Sequence, residues 1–337
     1  MDPCTQGLFG ACFSSTFAKK KQTNVALICG AVGGLVPDLD VFIRSENDPL
    51  LSIEYHRHFT HSLFFVPLGG LLTSIILYLT IFKRRNSFRD IYLYSTIGFL
   101  THGFLDACTS YGTSLFWPFS DLRVAWNIIS IIDPIFTFLL IGSIILFFFR
   151  KSTSVIKLGT FLSICYLCLG IYKHEKVIHY MRDMAERRGH TIEKILLNPT
   201  IGNNILWRSI YKNREIYYVD AVYMPSFSKP KFKEGTKVNV IDKNTIFPEL
   251  EYNSIQRQDI RRFSFFSQDY IYLHSDHSNI IADLRYGTLP YDSKSLWGIE
   301  INLADQRAHT NFVNLRNFQK IHYEKFWKML KGEFPDD

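Results

Sequence analysis

Two stretches of this chain, residues 62–82 and 127–149, run almost without charge and stop at basic clusters, Lys83-Arg84-Arg85 and Arg150-Lys151. Each is long enough to cross a bilayer as a helix, which takes roughly 20 apolar residues. In hydrocarbon only helices and closed barrels satisfy their own backbone polar groups, so few folds remain open. Residues 91–107 and 155–172 are slightly shorter apolar stretches. Residues 7–18 and 25–36 are shorter still and read as tilted, packed inside the bundle, or partly embedded.

The expected fold is an α-helical membrane bundle of about four to six membrane helices, two of them short, over residues 1–172. A small, polar, β-rich domain over residues 173–337 follows. A mean hydropathy near zero averages these unlike halves. The net charge of +7 would suit nucleic acid. Many N-terminal basic residues, however, cluster at the ends of apolar runs, where membrane topology accounts for them, and no nucleic-acid partner is expected. The N-terminus lacks the positive region of a cleavable signal peptide, so targeting falls to the membrane helices.

Lys19-Lys20-Lys21, Lys83-Arg84-Arg85 and Arg150-Lys151 are expected on the cytoplasmic side. Consecutive segments then alternate without conflict, and the C-terminal half falls outside the cytoplasm. The reading is a multi-pass protein of the cell (inner) membrane with an extracytoplasmic C-terminal domain. The same alternation gathers the ionisable groups. Asp2 starts the first segment, and Asp38 and Asp40 follow the second. His56, Arg57 and His61 precede the third. His102 and Asp106 close the fourth, Asp121 lies in the next loop, and Asp133 opens the fifth. Ionisable groups are costly in such positions and usually carry function; here all fall at one face.

His102 and Asp106 are spaced i, i+4, so a helix puts both on one side. That spacing suits two ligands of one metal, or a ligand and its orienting partner. His56 and His61 bracket a short segment in which Thr60 is placed to cap the following helix. Asp38-Leu39-Asp40 resembles other short carboxylate pairs that bind cations. Mixed imidazole and carboxylate ligands favour zinc, manganese or iron over calcium. His56, His61, His102, Asp106, Asp38, Asp40 and Asp121 are the candidate ligands. Asp106, Asp133 and Arg57 are the candidate catalytic groups, with Arg57 an anion clamp whose fork suits phosphate or carboxylate. Arg123 is a weaker candidate of that kind, and His58 is either a ligand or a neighbour. Singly, each has a plainer reading: Asp133 as a helix N-terminal partner, Asp121 as a turn residue after Pro118. Cys165 and Cys168 lie in an apolar run and read as small buried residues.

These pieces resemble a known family. They are Met1-Asp2-Pro3-Cys4-Thr5-Gln6-Gly7, Pro37-Asp38-Leu39-Asp40, His56-Arg57-His58-Phe59-Thr60-His61-Ser62, Thr101-His102-Gly103-Phe104-Leu105-Asp106, Trp117-Pro118-Phe119-Ser120-Asp121 and Ile132-Asp133-Pro134. In this order they resemble the YdjM-like (LexA-binding, inner membrane-associated) proteins, and Asn198-Pro199-Thr200 with Leu206-Trp207-Arg208 resembles the segment after the bundle in longer members. The resemblance implies a membrane-bound metal-dependent hydrolase, distantly akin to zinc phospholipase C folds. It carries His56, His61, His102, Asp106, Asp38 and Asp40 over as metal-site residues. The family often has His where this chain has Gln6, a poorer ligand.

In the C-terminal half, residues 173–188 read as a charged helix. Strand-like runs follow at 215–224, 236–241, 269–274, 279–285 and 296–303, and residues 318–330 as a closing amphipathic helix. His274-Ser275-Asp276-His277 reads as a surface turn. Such a domain would cover the outer site or select substrate. The leading expectation for the whole is hydrolysis of a phosphoester or lipid-linked ester by one or more divalent metals, most simply zinc, on an amphiphilic or anionic substrate at the bilayer. The alternative is a non-catalytic membrane protein whose metal or ion-pair cluster is structural and whose outer domain binds a partner.

Overall fold

The computed structural model describes residues 1–334. The chain divides into two compact units: Met1–Ile43 with Tyr55–Tyr172 and Ile201–Asn203, and Arg44–Glu54 with Lys173–Thr200 and Asn204–Asp337.

The first unit is helical. It contains α1 (Pro3–Thr16), α2 (Thr23–Gly33), α4 (Val66–Leu79), α5 (Phe88–Ala107), α6 (Pro134–Arg150) and the first part of α7 (Thr153–Arg187); the short α3 (Leu51–Tyr55) begins in the second unit. Asp2 caps α1 by accepting from the Thr5 amide at 3.0 Å, with Pro3 at the first helical position where its missing N–H costs nothing. α1, α2 and α5 meet where Gly10, Gly30 and Gly98 abut one another's backbone. A Cβ on Gly10 or Gly98 would run into the Gly30 carbonyl, so only glycine permits this approach. Ser14 donates to the Tyr94 carbonyl at 2.9 Å and ties α1 to α5. Phe9, Cys12, Leu105, Phe136 and Leu140 fill the interior. Large apolar side chains face outward on α4, α6 and α7, with Ile76 61%, Phe149 82% and Phe161 60% exposed. A surface like that suits lipid rather than water.

Two helical stretches, Lys20–Phe42 and Thr153–Arg187, are long and apolar enough to cross a membrane; a third counts if Leu51–His61 and Val66–Leu79, bent by 88°, form one span. The expected spans at 62–82 and 127–149 correspond to shorter helices, α4 and α6. Asp133 and Pro134 start α6 late. At about 1.5 Å per residue its 17 residues reach only about 25 Å, short of the ~30 Å hydrocarbon core. Likewise α4 starts only at Val66, with Pro67 in its first turn. The apolar stretch 155–172 and the charged stretch after it form one helix, α7, of 35 residues.

The second unit holds two antiparallel sheets. β1 (Lys194–Pro199), β2 (Leu206–Asn213), β3 (Ile216–Tyr223) and β4 (Lys231–Lys233) follow in order, with β5 (Lys237–Asn239) also on β3. β6 (Ile271–Leu273), β7 (Ile280–Asp283), β8 (Trp297–Glu300) and β9 (Asn311–Asn314) form the other sheet. The expected runs find β3, β5, β6, β7 and β8, and the closing helix is α9 (Lys320–Leu330). β1, β2, β4, β9 and α8 (Ile255–Phe266) were not expected. The first sheet is buried on both faces. Trp207, Tyr211 and Val222 pack on Val177, Met181 and Ala185 of α7, while Ile210, Tyr217 and Val219 pack on Tyr270, Tyr272 and Leu284.

Candidate metal centre

The site lies in the first unit, at the end of the bundle where α2 and α5 finish and α1, α4 and α6 begin. After α2 a 3-10 turn, Val36–Phe42, carries Asp38 and Asp40. Asp40 is buried and holds the 56–61 segment. Its Oδ2 accepts from the Arg57 amide at 3.0 Å and the Thr60 hydroxyl at 2.9 Å, and its Oδ1 faces His56 Nδ1 at 2.8 Å. His61 Nδ1 lies 3.2 Å from Asp40 Oδ2. Arg57 takes a left-handed φ of 64° inside this clamp. Thr60 thus serves Asp40 and does not cap the next helix.

α5 supplies His102 and Asp106, one turn apart. His102 Nδ1 donates to the Gly34 carbonyl at 2.7 Å, which leaves its Nε2 as the lone-pair nitrogen. His61, with Nδ1 turned to Asp40, likewise presents Nε2. The two Nε2 atoms stand 2.9 Å apart. Asp38 Oδ1 lies 3.4 and 3.3 Å from His61 and His102 Nε2, and Asp106 Oδ2 lies 3.2 and 3.4 Å from them. Gly103 allows the approach, since a Cβ there would strike the His61 carbonyl.

Asp106 is fully enclosed. Its Oδ1 accepts from Gln6 Nε2 at 2.9 Å and from the α-amino group of Met1. Its Oδ2 has no well-aligned hydrogen bond, and Gln6 Oε1 is also buried without one. Arg57 Nε is 3.3 Å from Asp106 Oδ2, its Nη1 donates to Thr109 at 3.0 Å, and its guanidinium lies 4.7 Å over the Tyr111 ring. The clamp expected of Arg57 is therefore directed inward, at a carboxylate of the protein.

The donor set tests whether a metal fits. Asp38, His61, His102 and Asp106 each offer one atom, all within 4.8 Å of one another, and Asp38, Asp40 and His56 form an adjoining group of the same kind. Two imidazole lone pairs facing each other repel. Either a cation among the four atoms or an added proton on one ring relieves this. Imidazole and carboxylate donors, each histidine oriented through its other nitrogen, match what a divalent transition metal takes.

The structure thus brings together Asp38, Asp40, His56, His61, His102, Asp106 and Arg57. It places Asp133 elsewhere: Oδ1 caps α6 at the Phe136 amide (3.1 Å), and Oδ2 accepts from Tyr166 at 2.9 Å. Asp121 is exposed and belongs to neither group. Arg123 donates to the Gly112 carbonyl at 2.8 Å. His58 packs on Tyr55 and Trp117, and His274 lies in a turn, its Nδ1 accepting from the Asp276 amide. The Gly34 carbonyl and Thr109 were not foreseen; a backbone oxygen leaves no mark in a sequence. In the second unit Asp48, Asp259 and His309 form a third group. Arg262 fills it, donating to Asp48 at 3.0 and 2.9 Å and to Asp259 at 2.9 Å.

Comparison with known proteins agrees with the helical unit. The family model of the YdjM inner membrane protein matches residues 1–177. The uncharacterized protein YfhP of Bacillus subtilis (strain 168) is 26% identical over 320 residues, 92% of this chain and 90% of YfhP. The inner membrane protein YbcI of Escherichia coli (strain K12) is 30% identical over 113 residues, 31% of this chain and 61% of YbcI. No solved structure matches. With the family model covering more than half of its length, this chain belongs to the YdjM inner membrane protein family.

Proposed function

We propose that the protein is a multi-pass membrane hydrolase that uses a divalent metal, most simply zinc, held by Asp38, His61, His102 and Asp106. The observation that carries this reading is the meeting of two imidazole Nε2 atoms and two carboxylate oxygens in one buried place. Such a metal lowers the pKa of a bound water toward neutrality and polarises the scissile group. Asp40 orients His61 and, with Asp38 and His56, forms the adjoining group. Arg57 steadies Asp106 and places positive charge beside the centre, which suits an anionic substrate. A site at the bilayer's edge suits a phosphoester or lipid-linked ester. In this reading the basic turns face the cytoplasm, and the site and the C-terminal unit lie outside it.

The test is elemental analysis of the purified protein with assays on generic phosphodiester and ester substrates. Bound metal in wild type, lost together with turnover in His102→Ala, is the expected result. Absence of metal and unchanged function in that variant overturn it. Reporter fusions after Arg85 and after His190 are expected on opposite sides; the same side for both overturns the orientation.

A second reading is favoured by the bonding around Asp40 and Asp106, which ties α1, the 36–42 turn, the 56–61 segment and α5 together. On that reading the cluster is a structural fastening, held together by a metal or by ion pairs. Metal-dependent folding without turnover of any substrate class supports it.

A further inference from the structure

The opposite end of the same unit holds a cavity of about 330 Å³, lined by Lys20, Lys21, Thr23, Asn24, Lys151 and Thr153, among others. Its size falls in the roughly 300–1,000 Å³ range of small-ligand sites. No acidic residue lines it. Among the described residues none of the three lysines has an ion pair; Lys151 lies only over the Phe148 ring at 5.7 Å. The first turns of two helices, α2 and α7, contribute to the wall, and helix N-termini carry partial positive charge. The Gln22 cap of α2 makes no side-chain hydrogen bond to that turn. In the segments that flank its lining residues, large apolar side chains are exposed: Phe17 59%, Phe149 82% and Leu158 57%.

We propose that this cavity binds the headgroup of an anionic phospholipid. Positive charge without a protein counter-ion, two amide-rich helix starts, and exposed apolar side chains in the flanking segments together match an amphiphile with a phosphate head. The exposed apolar side chains of the same segments favour the lipid over free phosphate. The proposal rests on the unit's embedding in a bilayer and is independent of hydrolysis.

The full chain, taken into nanodiscs or mild detergent, is tested by native mass spectrometry with phosphatidylglycerol against phosphatidylcholine. Wild type is expected to retain phosphatidylglycerol preferentially. The triple variant Lys20→Gln/Lys21→Gln/Lys151→Gln is expected to lose that retention, each change weakening it roughly fivefold, the usual effect of one basic residue near an anionic surface. The matched variant Lys83→Gln/Arg84→Gln/Arg85→Gln, which removes the same charge elsewhere, is expected to keep the preference. Equal loss in both variants, no preference in wild type, or displacement of the lipid by millimolar inorganic phosphate overturns the proposal. If the triple variant does not fold, Lys151→Gln alone carries the test. Failure of the wild type to remain with membranes after a carbonate wash defeats the embedded reading itself.

Discussion

The Nε2 atoms of His61 and His102 face each other at 2.9 Å, while the second nitrogen of each ring is held by a protein acceptor. Removing either ring removes one of the two imidazole donors to a shared ion and leaves the other still held by its own acceptor. His61→Ala and His102→Ala are each expected to lose bound metal and hydrolysis together, with helix content retained. Full metal occupancy in either variant, read by elemental analysis, would contradict a shared ion.

Asp40 acts through what it holds. Asp40→Asn keeps the shape but weakens the hold on His61 and Thr60. A loss of about 10–100-fold in metal affinity is expected, the usual cost of disturbing a partner behind a ligand. Asp121→Ala is expected to change affinity and stability little, within about 0.5 kcal/mol, because its side chain is exposed. Titration with a chelator compares them; equal effects would mean that the arrangement around Asp40 is incidental.

Gly30→Val should be among the most damaging substitutions in the helical unit. Its side chain would meet the Gly10 carbonyl and the Ser14 side chain, where backbone has little freedom to yield. A loss of about 3 kcal/mol or more is expected, at the upper end of overpacking. Gly142→Val, where nothing lies within 4 Å, is the control. Thermal unfolding in detergent that ranks the two alike would show that the glycine crossing is loose.

Arg262 gives the second unit an acid-sensitive joint. Burial alone would push the Asp48 carboxyl up, but the hydrogen bonds and charge of Arg262 outweigh it and hold it below its ordinary value. A carboxylate lowered by folding contributes stability above the ordinary carboxylate range. That contribution is lost as pH falls through the lowered value. Arg262→Ala is expected to cost about 2 kcal/mol at neutral pH, in line with hydrogen bonds to charged groups, and less in acid. Tryptophan fluorescence unfolding at pH 7 and pH 3 measures this; an equal cost at both rules out Asp48 as the source.

Much of the candidate site was legible because its residues come in local pairs whose spacing already fixes a face, as with His102 and Asp106. Asp133 was grouped with them by position along the membrane. Depth does not say which way a side chain turns, and this one turns to its own helix start and to Tyr166. β2 escaped because Arg208 and Ser209 interrupt its apolar run. Burial there is achieved with carbonyls, since Arg208 donates to Leu284, Leu289 and Pro290. α8 escaped for the same reason: its Arg257 and Asp259 look solvent-facing, yet both are buried, Arg257 on the Ile246 and Phe247 carbonyls and Asp259 on the Thr310 amide.

The glycine crossing reaches further than packing. Gly98 rests on the Gly30 carbonyl, and four residues later on each helix His102 bonds the Gly34 carbonyl. The notch therefore sets the axial register of α5 against α2. A slip of one helical turn, about 5.4 Å, would lift Gly98 out of its seat and carry His102 past its acceptor. Two hydrogen atoms where side chains might have been thus fix the height at which an imidazole meets its carboxylates.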